Sequence, residues 1–593
     1  MEAAPRSQST TIAGLLAHAV ERFGARTAVQ RKVGEEWVET SYAEVGEIVT
    51  ELGRGFVAAG IEAGERVCIL SGTRPEWTYA DFALTAAGAV VVPIYQTNSA
   101  EECQYVVENS DAVAIVCEDA EQLEKIASVR ENLPALRTVV VMEGADAREG
   151  VKTFDELREQ GRAEDGARLE ARSAAVGPED PFTFIYTSGT TGPPKGCVLS
   201  HGNYRSVLDQ CLELGVLGGE DEEVSYLYLP LAHSYALLIQ LLTFDIGGTI
   251  AYFGGDTKQI VAELTQVKPT YLPSVPRIFE KIYTLVTGNV DAETLAKAVA
   301  VGKQVADLRY AGQEIPAELQ AAYDQFDEKL FVNVRGAFGG RLKQASTGAA
   351  PIAHEILEFF WACGVPVMEG YGMTETATVA TAQTPGGQRF GTVGRALPGV
   401  EVKIAEDGEV LLRGKNIFGG YYKNADASFG AVVDGWLHTG DLGSLDEDGY
   451  LSIVGRKKDI IITAGGKNLT PANLENDMKQ SRWVSQAMMH GDRRAFPSML
   501  ITLDEEEIGP WAEAEGIEDR SISALASNEK VLALVQETLD AANAKYAQVE
   551  QVKKFFVLDH DLSQETGELT PTLKVKRNVV NEKYAERFDA LYG

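Results

Sequence analysis

Four short apolar segments in the first quarter of the chain constrain its fold most strongly. They cover residues 66–70, 89–95, 111–117 and 138–142, and turn residues bound them. Continuous apolar runs of this length are typical of strands buried on both faces, as in a parallel sheet. Helical segments lie between them, and residues 42–60 before them have an amphipathic helical pattern. The pattern therefore predicts an α/β domain with a buried sheet.

Size and composition restrict the class further. A chain of 593 residues is too long for one hydrophobic core, so two or more domains are expected. A formal net charge of −33 argues against nucleic acid as a partner and against electrostatic docking on anionic lipid. Six scattered cysteines without a CxxC pair predict a reducing compartment, with neither disulfides nor a zinc site. Since the N-terminus also lacks an apolar signal core, we expect a cytoplasmic location.

The most apolar window, residues 229–253, predicts a buried helix followed by a strand. His233, Asp245 and the glycine pair at 247–248 interrupt it, whereas a membrane span needs about 20 mostly apolar residues. On its own, His233 is most simply interpreted as a structural histidine.

Residues 187–195, Thr-Ser-Gly-Thr-Thr-Gly-Pro-Pro-Lys, combine two glycines, four hydroxyl side chains and one lysine. Such a loop suits a polyphosphate, because backbone N–H groups can turn towards it and the ammonium of Lys195 adds positive charge. The spacing around the lysine differs from that of a Walker A loop. A flexible surface turn is the alternative for this segment alone.

Two glycine-containing turns follow, at 345–351 and 368–376. Small residues such as Gly348 and Ala349 let a flat purine approach the backbone, and Tyr371 can stack on it. Both segments therefore predict contacts with a nucleotide base.

Three polar residues suit the other parts of a nucleotide. Thr374 can donate a hydrogen bond to phosphate, and Glu375 is a candidate Mg²⁺ ligand, since Mg²⁺ takes one or two carboxylates together with phosphate oxygens. Helix capping is the alternative for this pair. Asp441 stands in the string Asp-Gly-Trp-Leu-His-Thr-Gly-Asp, where a carboxylate can accept both hydroxyls of a ribose and a solvated turn is the alternative.

Taken together, these strings resemble the adenylate-forming enzymes, which comprise acyl-CoA synthetases, peptide-synthetase adenylation domains and luciferases. Val-Pro-Arg-x-x-Glu-Lys at 275–281 and Thr-Pro-Thr-Leu-Lys-x-Lys-Arg at 570–577 are similar to segments of the long-chain fatty acyl-CoA synthetases. The resemblance extends from about residue 10 to 580, with the motifs in family order.

The resemblance implies roles for individual residues. It implies that Thr187 and Glu375 hold Mg²⁺, and that His233 lies beside the acyl pocket. The implied catalytic residues are Lys574, His233 and Lys195. The residues implied at the ATP and AMP site are Thr187, Ser188, Gly189, Thr190, Thr191, Gly192, Lys195, Gly348, Ala349, Glu369, Gly370, Tyr371, Gly372, Thr374, Asp441, Arg456, Lys458 and Lys574.

The resemblance also implies the domain organisation of an α/β adenylating-enzyme fold. Residues 1–454 would form a large N-terminal domain of packed mixed α/β sheets, with a β-rich subdomain, that binds ATP and fatty acid. Residues 455–458, with Lys458 at the pivot, would form a hinge, and residues 459–593 a small mobile α+β domain. Residues 460–468 are one residue longer than in many relatives, so no CoA-contacting residue is predicted.

The implied activity has two steps. A long-chain fatty acid reacts with ATP to give acyl-AMP and pyrophosphate, and CoA then takes the acyl group and releases AMP. Mg²⁺ is the expected cofactor, ATP and CoA are cosubstrates, and weak peripheral membrane contact during fatty acid delivery is expected. The alternatives are a fatty acyl-AMP ligase that delivers to a carrier protein, a luciferase-like or aryl-acid ligase, and a catalytically silent nucleotide-binding protein.

Overall fold

The buried strands predicted near the N-terminus form a largely parallel sheet. The computed structural model describes residues 7–144, 150–187, 193–217, 222–288, 290–570 and 572–593. In spatial order the strands of this first sheet are Val151–Thr153, Thr138–Val141, Ala112–Cys117, Arg66–Leu70, Val90–Ile94, Pro181–Thr187 and Lys195–Ser200, and only the last pairs antiparallel to its neighbour. The associated helices are Tyr42–Ala58, Pro75–Ala86, Ala100–Asn109, Ala120–Val129, Phe154–Ala163 and Ala167–Ala175, with a 3-10 turn at Arg130–Asn132.

A second sheet has a parallel centre and antiparallel edges. Its strands, in spatial order, are Arg395–Ala396, Thr381–Ala382, Val367–Tyr371, Gln344–Thr347, Tyr271–Ser274, Val224–Leu227, Thr249–Tyr252, Thr27–Val33 and Glu36–Ser41. The helices of this part are Leu15–Phe23, His201–Glu213, Ser234–Asp245, Ile260–Val267, Pro276–Thr287, Ala292–Tyr310, Ala317–Phe326, Val332–Ala337 and His354–Ala362. A π-helical segment spans Asp327–Phe331, and 3-10 turns span Thr257–Gln259, Thr374–Thr376 and Pro385–Gly387.

The helix Ser234–Asp245 lies at the centre of the largest hydrophobic core. All of its residues except Tyr235 are buried, and its leucines share one cluster with Ile69 of the first sheet and Ile250 of the second. The predicted buried helix followed by a strand is therefore confirmed. Among the described residues, no helix is both long and apolar enough to cross a membrane.

Two smaller units complete the α/β architecture. Strands Glu401–Ile404, Glu409–Arg413, Val432–Val433, Trp436–Leu445 and Leu451–Arg456, with helix Ala425–Ala431, form an antiparallel subdomain. The C-terminal domain contains strands Ile461–Ile462, Asn468–Leu469, Val484–His490, Ser498–Leu503 and Lys554–Val557, and helices Pro471–Lys479, Glu505–Ala514, Ile522–Leu525, Glu529–Asn543, Arg577–Lys583 and Ala585–Ala590. The large N-terminal domain and small α+β domain agree with the predicted fold class.

The segment predicted as a hinge begins inside regular structure. Gly455 and Arg456 still pair with the neighbouring strand of the antiparallel subdomain, and a 3-10 turn at Lys457–Asp459 leads into the C-terminal domain. Lys458 is exposed in that turn, while the Nζ atom of Lys457 lies 3.2 Å from Glu409 Oε2. The hinge and its pivot stay predictions.

The ion pair between Asp245 of the central helix and Arg205 is expected to stabilise the fold. The Asp245 side chain is fully buried, and its Oδ2 atom lies 2.7 Å from Arg205 Nη2. Arg205→Met leaves this carboxylate without its guanidinium, so we expect the free energy of unfolding to fall by about 3–5 kcal/mol. Urea denaturation of the N-terminal domain followed by tryptophan fluorescence measures the change.

A matched control is Lys297→Met, which breaks the exposed ion pair with Glu293 and should change the free energy of unfolding by at most about 0.5 kcal/mol. Equal urea midpoints for Arg205→Met and this control would contradict a stabilising role for the buried pair.

Candidate active site

The two ends of the predicted phosphate loop lie side by side. Thr187 ends one strand and Lys195 begins the next, and the two residues pair directly across the antiparallel ladder. Ser188, Gly189, Thr190, Thr191 and Gly192 lie outside the described residues. The phosphate-binding role of the loop therefore stays a prediction. The structure describes only the two residues at its ends, Thr187 and Lys195.

Lys195 and Glu375 contact the same tyrosine. The Nζ atom of Lys195 lies 5.1 Å from the centre of the Tyr421 ring, within the range of a cation–π contact. The Tyr421 hydroxyl donates a hydrogen bond of 2.7 Å to Glu375 Oε1. One phenol thus brings the loop lysine and the predicted metal ligand to the same place.

Thr187 and Glu375 also meet at the buried thiol of Cys197, which interacts with both side chains. Burial raises the pKa of Cys197 well above its usual value, so this group stays a neutral thiol. A hydroxyl and a carboxylate at one point fit Mg²⁺, because this ion usually keeps waters and substrate phosphates as its other ligands. Among the described residues there is no cluster of three or more His, Cys, Asp or Glu side chains that could hold a metal.

Asp441 lies in strand Trp436–Leu445 of the antiparallel subdomain and faces Tyr371, the last residue of a strand in the second sheet. Its Oδ2 atom accepts a hydrogen bond of 2.7 Å from the Tyr371 hydroxyl, and its Oδ1 atom lies 3.0 Å from Arg456 Nε. The carboxylate is buried, and burial raises its pKa, whereas the charges and hydrogen bonds of Arg456, Tyr371 and Lys574 lower it. The acceptor predicted for a ribose is therefore held in a fixed orientation.

The small residues predicted beside a base come close together. A Cβ atom on Gly348 would lie 3.2 Å from the carbonyl oxygen of Gly370, and one on Gly372 would lie 2.2 Å from that of Thr378. Gly372 must therefore be glycine. Ala349 is exposed and has a φ of +67°, in the left-handed region. The two turns thus present closely spaced backbone, which a flat base can approach.

Lys574 reaches this cluster from the C-terminal domain. Protein atoms surround its ammonium on most sides, although the residue as a whole is exposed to solvent. This combination is expected for a side chain that projects into an open cleft. This enclosure lowers its pKa, as does the charge of Arg456, while Asp441 and Glu375 act in the opposite direction. Lys574 therefore belongs to the same charge cluster as the predicted ribose and metal ligands.

The backbone around Lys574 is held by Thr570. The Thr570 N–H donates to the Lys574 carbonyl at 2.8 Å, and the Lys574 N–H donates to Thr570 Oγ1 at 3.1 Å. Leu573, immediately before the lysine, has a φ of +58°. A non-glycine residue in this region costs free energy, and such conformations concentrate at functional sites.

His233 lies at the N-terminus of the central helix. Its Nδ1 atom accepts a hydrogen bond of 3.1 Å from the Tyr235 N–H, which places the proton of a neutral ring on Nε2. The surrounding protein lowers its pKa to about 4, and the positive charge of Lys574 adds to this effect. The imidazole is thus neutral near pH 7 and close enough to Lys574 to sense its charge.

Glu369 differs from the other predicted nucleotide ligands. The surrounding protein raises its pKa to about 8, and its buried Oε2 atom has no hydrogen-bond partner within the described part of the chain. Thr374, by contrast, is buried in the 3-10 turn Thr374–Thr376 beside Glu375. Burial thus favours the protonated form of Glu369, in the middle of strand Val367–Tyr371.

Two site residues, Tyr421 and Cys197, were absent from the sequence prediction. The Phe-Gly-Gly-Tyr-Tyr string at 418–422 is the signal that points to Tyr421, because two glycines before two aromatics indicate a close approach of backbones. The Tyr422 N–H indeed donates to the Gly196 carbonyl at 2.8 Å, beside the phosphate loop. The structure thus brings Lys195, Glu375, Asp441, Arg456, Lys574 and His233 into one cleft, while Lys458 lies exposed in the connecting turn.

Comparisons with known proteins agree on the family. The family described as AMP-binding enzyme matches residues 16–422, and the AMP-binding enzyme C-terminal domain matches residues 458–593. Long-chain-fatty-acid–CoA ligase FadD15 of Mycobacterium tuberculosis is 38% identical over 95% of this chain and 94% of its own length. Long-chain-fatty-acid–CoA ligase ACSBG2 of Xenopus laevis is 34% identical over 98% of this chain and 84% of its own length.

Solved structures show the same fold. The anthranilate CoA ligase AuaEII in complex with anthranoyl-AMP superimposes with a TM-score of 0.75, at 21% identity, over 98% of both chains. The adenylation domain of a carboxylate reductase from Mycobacterium chelonae gives 0.77, at 20% identity, over 99% of this chain and 91% of that one.

The contacts of Asp441 predict how the site binds AMP. Tyr371→Phe removes one hydrogen bond to this carboxylate, so we expect the affinity for AMP to fall about tenfold in calorimetric titration. The pKa of Asp441 should rise further, because Tyr371 opposes the effect of burial. Binding that needs the ionised carboxylate is present above this pKa and lost as the pH falls through it, so the variant should lose affinity at a higher pH than the wild type.

Tyr422→Phe is the matched control, since its hydroxyl donates a 2.9 Å hydrogen bond to the half-exposed Asp111, a different carboxylate. If both variants bind AMP as the wild type does at every pH, Asp441 is not the nucleotide ligand.

Proposed function

Because this chain belongs to the family of AMP-binding enzymes, we propose that it is a long-chain fatty acid–CoA ligase that forms AMP. The carboxylate of the fatty acid attacks the α-phosphorus of ATP, the bond to the bridging oxygen breaks, and pyrophosphate leaves. The thiolate of CoA then attacks the carbonyl carbon of acyl-AMP, and AMP leaves with the electron pair of the broken C–O bond.

The observation that carries this proposal is the electrostatic interaction of the Lys574 ammonium with Asp441 and Glu375. The first step brings a carboxylate and a triphosphate together, so both substrates are anionic and the cleft must supply positive charge. Lys574 supplies it on the side of the C-terminal domain and Lys195 on the side of the phosphate loop. Both nucleophiles come from the substrates, so catalysis rests on positioning and charge stabilisation.

Each residue of the cleft has a part in this proposal. Asp441, oriented by Tyr371 and Arg456, accepts the ribose hydroxyls, and the closely spaced turns at 348–349 and 370–372 accept the adenine. Neutral His233 lies where the acyl carboxylate enters and can donate from Nε2. Thr187 and Glu375 would hold Mg²⁺, which neutralises phosphate charge when bound.

The proposal extends to domains and surroundings. Residues 1–454 bind ATP and fatty acid, residues 455–458 act as the hinge with Lys458 at the pivot, and residues 459–593 move between the two steps. A cytoplasmic location fits the six buried free thiols. Fatty acid, ATP and CoA are the partners, with weak peripheral membrane contact during substrate delivery.

The function is tested by AMP release with a panel of fatty acids, with and without CoA. We expect release to depend on a long-chain acid and to rise with CoA, with acyl-CoA as the product. Acyl-AMP formation without any thioester would instead support a fatty acyl-AMP ligase that serves a carrier protein. AMP binding without acid-dependent release would indicate a catalytically silent protein.

The role of Lys574 is tested by separating the two steps. Lys574→Ala removes the ammonium next to Asp441, so acyl-AMP formation should fall by at least about 100-fold, the usual range for one lost charge-stabilising donor. Conversion of supplied acyl-AMP and CoA to thioester should stay within about threefold of the wild-type rate, measured by thioester product. Equal loss of both steps would contradict a role confined to adenylation.

A further inference from the structure

The helix Pro276–Thr287 directs its charged side chains at the C-terminal domain. The Arg277 guanidinium pairs with Asp504, and Lys281 Nζ lies 3.4 Å from Glu506 Oε2. These residues belong to the Val-Pro-Arg-x-x-Glu-Lys string that resembles a segment of the long-chain fatty acyl-CoA synthetases. In the folded chain, the two basic residues of that string contact the other domain.

Glu506 is held by two lysines of the N-terminal domain. Its Oε1 atom lies 3.4 Å from Lys258 Nζ, while its Oε2 atom faces Lys281. The pKa of Glu506 is lowered chiefly by the charge of Lys281. Both oxygens of one carboxylate are thus engaged across the domain boundary.

Asp504 is a well-placed partner for Arg277. It is buried and caps the helix Glu505–Ala514, accepting a hydrogen bond of 3.1 Å from the Glu506 N–H. Because the cap holds its side chain in place, the contact with Arg277 favours one orientation of that helix relative to Pro276–Thr287. Glu280 lies between the two basic residues and is largely enclosed by protein. It interacts with the charge of Lys479, which belongs to the C-terminal domain, as Asp504 does.

We infer that Arg277 and Lys281 are positioning residues for Lys574, holding the C-terminal domain in the orientation that places its ammonium beside Asp441. This inference rests on the proposed two-step function, in which the domain turns after adenylation. The pairs Arg277–Asp504 and Lys281–Glu506 separate when it does. Arg277 and Lys281 form a charged row on helix Pro276–Thr287, and this charged row therefore favours the first step over the second.

The individual pairs are weak enough to be broken in each cycle. Lys258, Lys281 and Glu506 are half-exposed or exposed, and each of their two pairs shifts an equilibrium by at most about fivefold. Arg277 is half-exposed as well, while its partner Asp504 is buried. Three contacts that open together multiply these factors. The row can thus bias the domain orientation without locking it.

The test is the double charge reversal Arg277→Glu with Lys281→Glu. Acyl-AMP formation without CoA should fall about tenfold or more, while thioester formation from supplied acyl-AMP and CoA stays equal or rises. Reversing the exposed partner as well, with Glu506→Lys and Lys258→Glu, should recover a measurable part of the lost adenylation rate, while Asp504, a buried helix cap, stays unchanged. Lys297→Glu, on the exposed surface of the next helix, is the control and should change neither rate.

Equal losses in both half-reactions, an unchanged adenylation rate, or no restoration by the partner reversal would overturn the inference. A second arm measures domain orientation directly in the ligand-free protein, by energy transfer between dyes on Ala321→Cys and Ala514→Cys. Both positions are exposed and the six native cysteines are buried, so labelling is selective.

The double reversal should change the transfer efficiency, and an unchanged efficiency overturns the inference. Wild-type protein that forms no acyl-AMP with any fatty acid would refute the proposed function, while the dye measurement would still decide the positioning role.

Discussion

The rest of the site depends on one electrostatic interaction, that of the Lys574 ammonium with the carboxylates of Asp441 and Glu375. Lys574 belongs to the C-terminal domain, whereas both carboxylates precede that domain in the chain, so the proposed domain motion would separate them. The interaction joins the ribose side of the cleft to the metal side. Enclosure by protein and the charge of Arg456 disfavour the charged ammonium, and the two carboxylates offset part of that cost.

The same interaction explains why the cleft suits anionic substrates in a chain with a net charge of −33. Overall negative charge repels ATP and fatty acid at long range, but screening limits this repulsion to about a nanometre. Inside the cleft the local charges decide, and Lys195, Arg456 and Lys574 supply three cations beside two carboxylates. Neutral His233 adds a donor without adding charge.

Much of the α/β architecture follows from the sequence, because buried parallel strands require continuous apolar runs. The segments at 66–70, 111–117 and 138–142 became neighbouring strands, and the broken apolar window became the central helix and its following strand. The strand Arg395–Ala396 joins the second sheet, and the antiparallel subdomain begins at Glu401. The sheet that a two-residue strand joins depends on the strand with which it pairs, and the local sequence pattern does not specify that partner.

The parts that the sequence did not predict are contacts between distant segments. Tyr421 reaches Lys195 and Glu375 because backbone pairing brings residues 196–198 and 419–422 together. The glycines at 419–420 indicate a close approach of backbones, but they do not specify which segment approaches. The charged row at 275–281 was interpreted through its resemblance to long-chain enzymes, and its partners Asp504 and Glu506 lie more than 200 residues away. Such contacts depend on how whole domains pack.

The central claim is that this cleft activates an acid by transferring the AMP moiety of ATP to its carboxylate, with release of pyrophosphate. The most direct measurement is exchange of labelled pyrophosphate into ATP by the wild-type protein, with a long-chain fatty acid and Mg²⁺ and without CoA. The account predicts exchange that requires the fatty acid, because adenylation is complete and reversible before CoA binds. An absence of exchange, under conditions where AMP binding is measurable, would contradict it.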